Sequence, residues 1–197
     1  PLFIDDGSSD GTLDVVKAAG FLAAAHPVNR GQGAALRVSY LIAQKVNARV
    51  IVTIDSDGQH APAEIPRLVE PILRDQADFV LGSRVKGTAE EDGALIRRIG
   101  IRVFSALFRI LFRTDITDCS NGFKAIRVDC LPRLNLREDQ YQAAEALISA
   151  IRSGIRVVEV PISVSARSSG ESKKGRSFLY GFNFARAIFK AWLTVGR

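Results

Sequence analysis

The run Arg49-Val50-Ile51-Val52-Thr53-Ile54 constrains this chain more than any other stretch, because its β-branched apolar side chains lead straight into Asp55-Ser56-Asp57-Gly58-Gln59-His60. An uninterrupted apolar run of this kind reads as a strand covered on both faces. Residues 2–4 repeat the arrangement, ending in Asp5-Asp6-Gly7, and residues 79–82 read as a further strand. Between them lie helical signals. Residues 12–25 are expected to be helical, capped by Ser9 or Asp10. A second helix is expected after Asn29-Arg30-Gly31-Gln32-Gly33, burying Ala34, Ala35, Val38, Leu41 and Ile42 on one face, and a third over 62–74. Strands alternating with helices indicate an α/β sandwich around a largely parallel sheet. Such sheets bind ligands at the carboxyl ends of their strands, where these acids stand.

Beyond a polar loop at 87–93 the pattern changes. Over 95–112, Ile96, Ile99, Val103, Leu107 and Ile110 keep helical spacing while Arg98, Arg102, Arg109 and Arg113 fall on the opposite side, the pattern of a basic amphipathic helix. A turn-rich stretch is expected at 118–123, a helix at 141–153, and a strand at 157–164 whose Pro161 suits a sheet edge. Over 178–193, Phe178, Phe182, Phe189 and Leu193 form one stripe, with Arg186 and Lys190 flanking it. The division expected is a catalytic domain over 1–165, then a basic loop and an amphipathic helix over 166–197.

At 197 residues the chain is long enough for one domain with a real core. Its 27 Lys and Arg against 21 Asp and Glu, net +6, point to anionic partners. Nucleic acid is not expected among them, because the cations are interleaved with long apolar side chains rather than with stacking aromatics. Cys119 and Cys130 form no Cys-x-x-Cys pair and are expected to be reduced thiols in a cytoplasmic setting. No apolar run is long enough to span a bilayer.

Asp55 and Asp57, one residue apart on a turn, can converge on one hard divalent cation, with Gln59 adding a third oxygen. Alone, an Asp-x-Asp is most often a solvated acidic turn. Its position after so apolar a strand favours a metal site that substrate phosphates complete. Asp5, Asp6 and Gly7 would put acceptors at a neighbouring strand end, suited to donors on a nucleotide base or ribose.

The motifs D-D-G-S-S-D-G-T at 5–12, N-R-G-Q-G-A-A-L at 29–36, D-S-D-G-Q-H at 55–60, G-S-R at 82–84, D-C-S-N-G-F-K at 118–124, and E-V-P-I with R-x-x-G-E-S-K over 159–173 occur in one order. Together they resemble the family 2 glycosyltransferases of the GT-A fold, a Rossmann-like three-layer sandwich, and within them the polyprenyl-phosphate sugar transferases similar to dolichol-phosphate mannose synthase. The resemblance implies a nucleotide-diphosphate sugar donor of the GDP-mannose or UDP-glucose type, Mg²⁺ or Mn²⁺, inversion, and a polyprenyl or dolichyl phosphate acceptor. It also implies site roles. Asp5, Asp6, Gly7, Asn29, Gly31, Gly33 and Asp55 would bind the donor; Asp55, Asp57 and Gln59 the metal; Arg84, Lys124, Arg167 and Lys173 the acceptor phosphate. Asp57, Arg84 and Lys124 are the catalytic candidates. Glu145 would orient an arginine or the acceptor, and His60 would be a structural hydrogen-bonder.

A phosphate monoester, with a second pKa of about 6, is already largely ionised near neutrality, so cations that place it matter more than a base. A lipid phosphate stays in the bilayer, which gives the amphipathic helices a role on the membrane surface, peripheral on its cytoplasmic face. Two alternatives remain: a soluble family 2 transferase acting on a saccharide or protein hydroxyl, with Asp118 as base, or a degenerate nucleotide-sugar-binding module. The family places a strand before the opening motif, and this sequence is expected to begin after it. The strand at 2–4 should then lack its neighbour and expose a sheet edge, weakening donor binding and favouring self-association into a homo-oligomer.

Overall fold

The computed structural model describes residues 1–88, 95–139, 142–165 and 186. In chain order the elements are β1 (Leu2–Asp5), α1 (Thr12–Ala18), β2 (Leu22–Ala25), α2 (Gln32–Lys45), β3 (Val50–Thr53), α3 (Ile65–Leu73), β4 (Phe79–Ser83), α4 (Leu95–Phe112), β5 (Lys124–Arg127), α5 (Gln142–Arg152) and β6 (Val157–Pro161). The helix expected over 12–25 stops at Ala18, where Gly20 takes φ +78, and the apolar Leu22–Ala25 pairs with β1 in parallel. The strand at 2–4 is therefore partnered along one edge.

A four-stranded sheet, ordered β3-β5-β4-β6, carries the rest. β4 and β6 are parallel, and β5 runs antiparallel between β3 and β4, with Thr53 opposite Lys124. This strand was not foreseen, because K-A-I-R is short and follows directly on a turn. β6 ends at Pro161 on the sheet edge, where a missing amide costs no ladder bond.

Side chains leave the sheet to both faces. Leu68 and Ile72 of α3 pack on Val80, Ala125 and Ile162. Phe79, Leu81 and Ile126 pack with Tyr40 of α2, Phe108 of α4 and the buried length of α5. On α2 the buried positions are Ala34, Ala35, Tyr40 and Ala43, while Leu41 is exposed. Ile42 faces, with Leu2, Ile4, Val50 and Val52, a cavity of about 860 Å³ between the β1 pair and the β3 edge. On α4 the inward residues are Ser105 and Phe108, so Val103 (57% exposed) and Ile110 (76%) share the outer face with Arg102 and Arg109. The clean separation of apolar and basic faces expected for this helix is thus not kept. Cys119 and Cys130 are free and buried.

Candidate active site

Asp6, one residue past β1, ties the first half of the site together. Its Oδ1 accepts from the Arg30 amide at 3.0 Å and lies 2.8 Å from His26 Nδ1, and its Oδ2 accepts from the Gly31 amide at 2.7 Å. Burial works against the charge, but the His26 contact and the two amides outweigh it and hold the carboxyl below the usual carboxylate range. Asp5 accepts from the Ser8 amide at 3.2 Å. Gly7 has φ +71, and a Cβ there would lie 2.5 Å from the Asn29 nitrogen, so the close approach of the two turns requires glycine.

The 29–33 turn is clamped from its other side by residues 137–139. The Gly33 amide donates to Asp139 O at 2.8 Å, Arg37 Nη1 donates to Glu138 O at 3.0 Å, and Arg37 Nη2 pairs with the Asp139 carboxylate. A Cβ on Gly33 would come within 2.2 Å of Glu138 O, and one on Gly31 within 2.6 Å of Asp139 O. Glu145 holds this clamp, its Oε1 accepting from the Arg137 amide at 2.8 Å and the Glu138 amide at 3.1 Å. Its burial pushes the carboxyl above the usual range.

Held in this way, Gln32 Nε2 donates to Asp55 Oδ1 at 2.8 Å. A Cβ on Gly122 would sit 3.3 Å from Asp55 Oδ2, so glycine leaves that carboxylate its room. Asp57 Oδ1 accepts from the Gln59 amide at 3.1 Å. Lys124, 1% exposed, faces the same cavity end; burial pulls its ammonium down to about 8, partly offset by the Asp55 charge. Among the described residues, no three His, Cys, Asp or Glu side chains gather as metal ligands. Asp55, Asp57 and the Gln59 amide oxygen nonetheless suit a hard cation, whose shell substrate oxygens would have to complete.

The second half lies at the end of β4. Arg84 Nε donates to Asp118 Oδ2 at 2.7 Å and Nη2 to Asp118 Oδ1 at 2.8 Å, a bidentate pair, with Ser120 Oγ accepting at 2.7 Å. The Asp118 side chain is 0% exposed. Burial opposes its charge, but the Arg84 guanidinium wins and holds it below the usual range. Asn121, buried, donates to Gly82 O at 2.8 Å and pins the 118–123 turn to β4. His60 packs on Phe123 with ring centroids 5.1 Å apart, and burial lowers its pKa. Its buried Nδ1 has no partner, so the structural hydrogen bond expected of it is not made at that atom.

Residues 2–134 match the family model described as glycosyl transferase family 2. The chain belongs to that family. It is 32% identical, over all of its length and 77% of the relative's, to the polyprenol monophosphomannose synthase of Mycolicibacterium smegmatis. It is 29% identical, over 92% of its length and 80% of the relative's, to the UDP-N-acetylglucosamine–dolichyl-phosphate N-acetylglucosaminyltransferase of Methanococcus voltae. Among solved structures, glucosyl-3-phosphoglycerate synthase from Mycobacterium tuberculosis, crystallised with Mn²⁺, UDP and glucosyl-3-phosphoglycerate, superposes with a TM-score of 0.71 at 22% identity, covering 98% of this chain and 67% of that one. That likeness shows the GT-A fold. The protein is a glycosyltransferase on the dolichol-phosphate mannose synthase-like branch of family 2.

Asp6, Asn29, Gly31 and Asp55 line one cavity, with Lys124 beside Asp55 rather than in the Arg84 pair, whereas Asp5, Gly7 and Gly33 are not on its lining. Arg167 and Lys173 lie outside the described residues, as does the stripe at 178–193, Arg186 excepted. Sequence reasoning missed the roles of Gln32, Gly122, Ser120, Lys86 and Glu159. A signal existed for Glu159, since an acid between valines in a strand must find donors inside the protein.

Proposed function

We propose that this glycosyltransferase moves a sugar, with inversion, from a nucleotide-diphosphate sugar to a polyprenyl phosphate at a membrane surface. The observation that carries the acceptor class is the state of Asp118. A hydroxyl acceptor calls for a base, and Asp118 is buried, doubly bonded to Arg84 and held below the usual carboxylate range. An acceptor that arrives as an anion needs no such base. It needs a guanidinium fixed in one plane, which the Asp118 pair supplies.

In this reading an oxygen of the acceptor phosphate, placed by Arg84, attacks C1 of the sugar as the bond from C1 to the diphosphate oxygen breaks and that oxygen keeps the electron pair. Asp55, Asp57 and Gln59 would hold a divalent ion, Mg²⁺ or Mn²⁺, which would supply the charge that neutralises a diphosphate leaving group. Gln32 fixes the Asp55 rotamer, and Lys124 adds positive charge beneath it. Asp6 and Gly7 shape the donor seat by fixing the 29–31 turn, so a nucleotide contact at Asp6 shares a carboxylate already engaged there. Residues 1–165 form the catalytic unit in this proposal, and Arg167 and Lys173 in the 166–197 segment add to the acceptor's phosphate seat.

No helix among the described residues is long and apolar enough to cross a membrane. The outer face of α4 instead sets Arg102 and Arg109 beside the exposed Val103 and Ile110, a mixture suited to anionic headgroups and the acyl boundary. This supports peripheral attachment, which we assign to the cytoplasmic face.

The test is transfer of labelled sugar from GDP-mannose and UDP-glucose to a polyprenyl phosphate in detergent, with Mn²⁺ or Mg²⁺ against chelator, beside a methyl glycoside acceptor. Metal-dependent label in the lipid phase is expected. Label on the glycoside alone would move the acceptor to a hydroxyl, and nucleotide binding without transfer to either would indicate a binding module.

A further inference from the structure

Glu159 has no place in the chemistry above, yet its side chain is only 1% exposed. It points from β6 at the turn that carries Asp118. Oε1 accepts from the amides of Thr117 and Asp118, both at 2.9 Å, and Oε2 accepts from Thr117 Oγ1 at 2.8 Å. Lys86 Nζ closes the set at 3.2 Å from Oε2. Thr117 Oγ1 takes a hydrogen bond from Ser83 Oγ at 2.8 Å, and Ser83 Oγ in turn accepts from the Lys86 amide at 3.2 Å. The turn after β4 and the turn before β5 are thereby tied to one carboxylate.

A lone buried carboxylate is costly unless donors surround it, and here two of the donors are the backbone amides at and before Asp118. Moving Glu159 moves that backbone, and the Asp118 carboxylate moves with it. Because the Arg84 fork is aligned by both Asp118 oxygens, the plane of the guanidinium depends on Glu159 at one remove. We infer that Glu159 is a positioning residue: it fixes the 117–118 turn so that Asp118 presents Arg84 in one orientation to the acceptor phosphate, and Lys86 balances its charge. This rests on the acceptor assignment given above, and the experiment separates the two.

Glu159→Ala and Glu159→Gln are made in the full chain. The glutamine keeps the volume but sets an NH₂ where Oε2 accepts from Thr117 Oγ1 and pairs with Lys86, so it loosens the turn without leaving a cavity and carries the test if the alanine variant does not fold. Each is read by thermal unfolding, by hydrogen exchange of the Arg84 Nε–H resonance, assigned by its loss in Arg84→Lys, and by steady-state transfer. In the folded variants Arg84 Nε–H exchange is expected to quicken by about tenfold or more, and the KM for polyprenyl phosphate to rise about tenfold. The donor KM should stay within about twofold of its starting value. Unchanged Arg84 exchange in a folded variant overturns the inference, and so does an equal rise in both KM values, which would mark a general structural role. Faster exchange in a protein that transfers nothing to polyprenyl phosphate would uphold Glu159 as the positioner and overturn the acceptor assignment instead.

Discussion

The ends of β3 and β4 both carry buried or half-buried acids, but they satisfy them differently. At β3, Asp55 is met by the neutral Gln32 amide, and the neighbouring Asp6 largely by backbone amides. At β4, Asp118 pairs with the Arg84 guanidinium, and Glu159, besides two backbone amides and a hydroxyl, pairs with Lys86. Carboxylates held by neutral donors keep their charge available to an added cation, whereas carboxylates already paired serve to hold their partners still. One end is thus suited to accept a metal ion and the other to present a fixed guanidinium.

Substitutions can break each half separately. The largest effect is expected from Asp57→Ala, which should lower metal-dependent transfer by a factor on the order of 10³ in the lipid-phase assay. A loss as large in chelator as in metal would remove the ion from the account. Arg84→Ala strands the Asp118 charge, so denaturant unfolding should show a loss of about 3–5 kcal/mol, with the neutral double variant Arg84→Ala/Asp118→Asn recovering part of it. The sign of its pH dependence follows from the lowered pKa of Asp118. The pair's stabilisation is complete above the unfolded carboxylate pKa and disappears as pH falls through the lower folded one. Arg84→Ala should therefore lose its deficit in acid.

Smaller effects sharpen the first half. Gly33→Ala forces a Cβ into the Glu138 carbonyl and should cost about 1–3 kcal/mol while raising the donor KM more than the acceptor KM. Lys124 titrates near 8 in the folded chain because burial disfavours its charge. The unfolded chain then binds more protons above that pH, so stability should rise between about pH 8 and the unfolded lysine pKa of about 10.4. Lys124→Met should flatten that slope while reducing transfer. The least effect is expected from Glu145→Gln, whose carbonyl oxygen can still take the Arg137 and Glu138 amides. Since burial already raises the Glu145 pKa, unfolding at neutral pH should change by less than about 1 kcal/mol.

What the sequence disclosed followed the same division. The apolar run of β3 and the place of the acids after it were legible because a covered strand leaves a local pattern and a turn follows where it stops. The α4 span was legible from its period, but not which face it buries, because Val103 and Ile110 have the right spacing for a core the sheet does not offer them. The alanine-rich Leu22–Ala25 carries a helical signal, and only its pairing with β1 makes it the strand β2. Lys124 could be seen as a cation but not as Asp55's neighbour, for that depends on β5 pairing antiparallel with β3. The Glu159 set joins residues from segments far apart in the chain, so an acid between valines signals that donors exist but not which residues supply them.

The most direct test of the division is the electron paramagnetic resonance of Mn²⁺ titrated into the protein with a nucleoside diphosphate present. Wild type and Arg84→Lys should bind a single ion with equal affinity, and Asp57→Ala should leave it free in solution. Binding that survives Asp57→Ala, or that is lost in a folded Arg84→Lys, would contradict the assignment of the cation to the β3 end.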